Sequence, residues 1–120
     1  MKYVLLVHHG DTVTPNDPEA WEALPEEERQ EIVDTWQEIS QTPGVTPGVR
    51  MSDPGAATTV RVENGKTLTT DGPFASVKEA VGGMLTFEAD DLDAAIELAT
   101  KVPSASKGGA VEIRPVLESW

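Results

Sequence analysis

Residues 84–103 read MLTFEADDLDAAIELATKVP, and the hydrophobic period changes inside that stretch. Met84 to Ala89 reads as a strand. Asp90 is placed to cap a helix, with Asp91 and Asp93 in its first turn, at the positive end of the helix dipole. Leu92, Ala95, Ile96 and Ala99 then recur at helical spacing and form one apolar stripe. Lys101 closes the last turn and Pro103 keeps the chain from continuing. A strand followed directly by an amphipathic helix is half of a split β-α-β unit.

Downstream, a Ser/Gly loop leads to Ala110–Leu117. There Val111 and Ile113 alternate with Glu112 and Arg114, predicting a strand with one dry and one wet face. Upstream, Val77 to Gly83 reads as a loop or short helix. Before it lie two Thr/Val-rich runs, Ala57 to Glu63 and Lys66 to Thr70, joined by Asn64-Gly65. That pair predicts a hairpin, because both central residues of a type I′ turn need positive φ. Thr42 to Gly55, with three prolines and three glycines, reads as the loosest stretch. At the start, Tyr3 to Val7 is a continuous apolar run, as in a strand buried on both faces. Asp17 and Pro18 signal a helix start, and Pro25 a second one. From Pro25, Ile32, Val33, Trp36 and Ile39 repeat at helical spacing.

The order is strand, helix, two or more strands, helix, strand. This is the βαββαβ pattern of a ferredoxin-like α+β fold, an antiparallel sheet with helices on one face. The whole chain, 1–120, reads as a single domain. The sheet's other face is left uncovered, and a second copy of the chain is the expected cover.

Charge narrows the function classes. Lys and Arg number 9 and Asp and Glu 21, a net charge of −12. The segment from Asp17 to Glu38 holds nine acids and a single base, Arg29. Nucleic acid and anionic membrane surfaces are excluded, since both need clustered cations. There is no cysteine, which removes disulfides, thiolate metal sites and cysteine nucleophiles. No apolar run approaches the roughly 20 residues of a membrane span. The expectation is a cytoplasmic protein with no cofactor.

The order of several motifs resembles a known family. Thr59-Val60-Arg61-Val62, Asn64-Gly65-Lys66, Thr70-Asp71-Gly72-Pro73-Phe74-Ala75, Lys78-Glu79, Gly82-Gly83, Ala89 to Ala95 and Val111 to Val116 follow one another as in the YCII-related family, in particular its DGPF-motif branch. The resemblance implies a dimeric α+β barrel of ferredoxin-like units. It also implies links to extracytoplasmic-function sigma factors, beside or fused to which many members are encoded. Relatives of the YciI type imply a polar pocket of one His and one Asp, the His on the first helix. Here the helix from Pro25 to Ser40 has no His.

The candidate catalytic residues are Asp71, His9 and His8. Asp71 ends a strand just before Gly72-Pro73. Its carboxylate either anchors an Asx-type turn or serves as a general acid/base beside Phe74, and the two roles can coexist. His8 and His9 are neighbours at a strand end, so they point to opposite faces and cannot jointly grip a metal ion. One of them can face a cavity and titrate near neutral pH. Phe74, Lys78 and Arg61 are the candidate ligand-binding residues, the cations being able to hold an anionic substrate. Cross-strand pairing with Glu63, Glu88 or Glu112 is the competing reading. Two functions follow. One is a homodimeric small-molecule-binding protein or enzyme of isomerase, lyase or hydrolase type, with its pocket near Asp71. The alternative is a non-catalytic accessory protein whose acidic helix binds a basic partner such as a sigma factor.

Overall fold

The computed structural model describes residues 1–75 and 81–117. Its main sheet has four antiparallel strands: β1 (Lys2–His8), β2 (Val45–Arg50), β5 (Val81–Glu88) and β6 (Ala110–Pro115), in the order β2-β5-β1-β6. Between β1 and β2 lie α1 (Pro18–Ala23) and α2 (Glu26–Gln41). Between β5 and β6 lie α3 (Leu92–Lys101) and the single turn α4 (Pro103–Ser106). This architecture is α+β and compatible with a ferredoxin-like unit. Its four sheet strands, however, are not all the expected ones.

The second sheet strand is β2, inside the stretch read as loosest. Pro47 and Gly48 carry poor strand propensity, but β2 lies at the sheet edge. There a proline's missing N–H faces away from the ladder. A register shift between Thr46 and Val49 absorbs the Pro-Gly pair as a bulge. The expected hairpin forms as β3 (Thr58–Glu63) and β4 (Lys66–Asp71), with Asn64 at φ 51° and Gly65 at φ 76°. It makes a separate two-stranded sheet inserted between β2 and β5. The third sheet strand starts at Val81, earlier than the Met84 start expected from the sequence; residues 77–80 lie outside those described.

Side chains alternate along β1. Tyr3, Leu5 and Val7 are buried with Leu85 and Phe87 of β5. They meet Ile39 of α2 and Ala95, Leu98 and Ala99 of α3 in one core. Val4 and Leu6 point to the opposite face, in register with Thr86 and Met84. The α3 cap is Asp91, not Asp90: the Asp91 carboxylate accepts the Ala94 N–H at 2.9 Å. Asp17 caps α1 as its sequence predicts. Pro103 ends one helix and opens the next at its first position, where a missing N–H is harmless.

Candidate functional site

A cleft of about 690 Å³ opens between α2 and the β2–β5 edge of the sheet. Trp21 and Trp36 stand in its walls, with Val7 and Leu85 from the sheet. His9 lies just beyond the end of β1 and lines this cleft. Its position is fixed by ties across the sequence. Asp11 N–H donates to the Gly108 carbonyl at 3.1 Å, and the Thr12 hydroxyl to the Lys107 carbonyl at 3.2 Å. These bonds clamp the exit of β1 to the turn after α4. Ser104, buried on α4, thereby reaches His9: its Oγ lies 2.8 Å from Nδ1.

The other ring nitrogen, Nε2, is shielded from solvent and has no hydrogen-bond partner among the described residues. A polar atom in that condition is rare in a folded protein and calls for an explanation. Nδ1 fixes the tautomer. If Ser104 donates to Nδ1, Nε2 carries the proton. If Nδ1 donates to Ser104, Nε2 is a free base. Burial holds the His9 pKa below its ordinary value, and the nearby Arg50 guanidinium pushes it the same way. The ring is therefore neutral at neutral pH.

The ring sits where a side chain would project from Gly82. A Cβ there would come within 2.6 Å of Nε2. Gly82 is the residue skipped where the β1–β5 register shifts between Val7 and His8. The Gly82 carbonyl accepts the Met51 N–H at 2.8 Å, which holds the end of β2, and so Arg50, beside the histidine. The Asn16 side chain donates to the Met51 carbonyl at 3.1 Å and ties the loop before α1 to the same point.

The other sequence candidates lie elsewhere. His8 faces away from the core, its Nε2 3.4 Å from a Glu112 oxygen. Asp71 is exposed at the end of β4. Arg61 pairs with Glu63 at 3.0 Å along its own strand, and its guanidinium stands 5.8 Å from the centre of the exposed Phe74 ring. None of these lines the His9 cleft. Lys78 lies outside the described residues. Residues that the sequence did not single out as site residues are Ser104, Arg50 and Gly82. A glycine inside a strand is itself a signal of close approach, and Gly82 carried it.

The YCII-related domain matches residues 1–119. The chain belongs to the YCII-related family. An uncharacterized protein of Rhizobium meliloti (strain 1021), R00369, is 29% identical over 119 residues, 97% of this chain and 92% of that one. Among the described residues, no helix of this YCII-related chain is long and apolar enough to cross a membrane.

Proposed function

We propose that this YCII-related protein binds a small molecule in the His9 cleft, and that His9 exchanges a proton or hydrogen bond with it through Nε2. The observation that carries this is the shielded, unpartnered Nε2 of a neutral imidazole whose other nitrogen is held by Ser104. Such a group suits general acid/base chemistry of the isomerase, lyase or hydrolase kind. Ser104 is buried with its hydroxyl on Nδ1, so it orients the ring and is no nucleophile.

The open face of the sheet, with Leu6, Met84 and the edge residue Val49, is the surface we assign to a second copy. Met84 and Val49, paired across β5 and β2 on that face, are 39% and 62% exposed. Sedimentation should give a dimer and Met84→Glu a monomer. A cytoplasmic location and a place in the DGPF-motif branch belong to the same reading, the latter resting on Asp71-Gly72-Pro73-Phe74.

A thermal-shift screen of metabolites tests the site on wild type, His9→Gln and Asp71→Asn. A ligand at a hundred times its Kd adds about 2.7 kcal/mol to stability. The expected result is a ligand that stabilises wild type and Asp71→Asn but not His9→Gln. Loss in Asp71→Asn alone would move the site to the hairpin and overturn the His9 reading. A second reading rests on the exposed acids of α2, Glu26, Glu27, Glu31, Asp34 and Glu38: docking of a basic protein such as a sigma factor. Salt-sensitive pull-down would support it, and no binding at low salt would remove it.

A further inference from the structure

The chain carries 21 Asp and Glu side chains, yet none of them, and no Lys, lines the His9 cleft among the described residues. Among the described lining residues the one permanently charged side chain is Arg50. Arg50 makes no ion pair with any described residue. Its backbone is fixed opposite Gly83 in the β2–β5 ladder, one residue from Gly82 and the His9 ring. A protein of net charge −12 thus places no acid among the described lining residues of this cleft, and a single guanidinium at its edge. The remaining polar groups, among them Gln37, Gln41 and Thr14, are neutral.

Resting on the reading of this cleft as a small-molecule site, we infer that its ligand is a compact apolar or aromatic body bearing one carboxylate, held by Arg50. The guanidinium offers two parallel N–H groups that match a carboxylate's two oxygens. Trp21 and Trp36 supply flat apolar walls for the body. A second negative charge would have to leave water without a second cation to meet it among the described lining residues, which disfavours phosphate dianions and dicarboxylates. The neutral His9 ring then meets the ligand as a hydrogen-bonding or proton-transfer group and not as a rival cation.

The test uses phenylacetate, its neutral counterpart phenylacetamide and inorganic phosphate. Binding is followed by titration calorimetry and by the His9 imidazole signals in NMR, on wild type, Arg50→Gln and Arg50→Lys. Arg50 is exposed on an edge strand, so both variants should keep the wild-type melting temperature. Phenylacetate is expected to bind at least tenfold more tightly than phenylacetamide. Arg50→Gln should erase that preference and Arg50→Lys restore part of it. Equal affinity for acid and amide, or a preference that survives Arg50→Gln, overturns the carboxylate assignment while leaving the cleft a small-molecule site. Phosphate binding more tightly than phenylacetate overturns it in favour of another anion. No binding of any probe, with the His9 signals unmoved, defeats both this inference and the reading of the cleft on which it rests.

Discussion

The β1–β5 pair and the β3–β4 hairpin are antiparallel ladders of nearly equal length, seven and six residue pairs. Backbone hydrogen bonding therefore does not distinguish them; surroundings do. Along β1, alternate residues vanish into the core, and Leu5 has no exposed surface. Along β4 every residue is exposed, and Val60 and Val62 of β3 are 59% and 67% exposed. A two-stranded hairpin alone is marginal in water, because the ladder exchanges water hydrogen bonds for protein ones at little net gain. The candidate site residues follow the same division. The shielded imidazole lies at the end of β1, while Asp71, with the most distinctive sequence around it, stands in solvent.

The largest test of this contrast is truncation on each side. Leu5→Ala removes a fully buried side chain and leaves a cavity, so urea denaturation should register a loss of about 2–5 kcal/mol. Val62→Ala, on the hairpin, should change the same midpoint by no more than about 0.5 kcal/mol. A hairpin truncation as damaging as Leu5→Ala would mean that the hairpin is packed in solution, against a second copy.

Next in size is Gly82→Ala. The new methyl group would overlap the His9 ring, which is held from the other side by Ser104. Crowding of this kind costs about 1–3 kcal/mol. More telling is the His9 imidazole spectrum, which should shift as the ring leaves Ser104. An unchanged spectrum would show that the ring has slack and that the bulge does not position it.

The sequence made some of this legible. Tyr3 to Val7 as a strand, the Asp17-Pro18 start and the Asn64-Gly65 turn were readable because each signal lies within a few residues. The α3 stripe was readable only as a helix: its buried face is Ala95, Leu98 and Ala99, while Leu92 and Ile96 of the expected stripe are 48% and 45% exposed, because the sheet meets the helix one step round from the face that periodicity picks. β2 was not, because Pro47 and Gly48 argue against a strand and only pairing with β5 overrides them. The α3 cap was missed by one residue among consecutive aspartates, a choice that local geometry makes and composition does not. The hairpin was readable as a hairpin but not as an excursion from the sheet, since its alternation is the same in either place. The site was the least legible part. His9 meets Ser104 across 95 residues, and no local pattern announces that contact. Gly82-Gly83 was visible, but its meaning depends on which ring lies over it.

Gly65→Ala tests whether the two ladders open independently. Gly65 has φ 76°, a left-handed conformation that costs an L-residue about 1 kcal/mol. Amide exchange should quicken through β3 and β4 and stay as slow as in wild type through β1 and β5. Faster exchange in both would join them into one cooperative unit.

The smallest effect separates the regions by pH. Unfolded His9 titrates near 6.5, and burial, aided by Arg50, lowers that value in the folded protein. Below 6.5 the unfolded chain therefore binds this proton more readily than the native one. His9's contribution to stability is fully present above 6.5 and is lost progressively as pH falls toward the folded-state value. Glu112 follows the same sign lower on the scale. Its hydrogen bond from Arg114 lowers a carboxyl that otherwise titrates near 4.5, so its contribution holds above 4.5 and fades below it. The two windows do not coincide, and β3 and β4 contain no histidine. Urea midpoints followed downward from above pH 6.5 should fall first in wild type and in Val62→Ala alike. In His9→Gln that first decline should be reduced, with only the later, acidic one unchanged. An undiminished first decline in His9→Gln would place its source outside the cleft, and would remove the claim that this imidazole is held neutral by where the fold puts it.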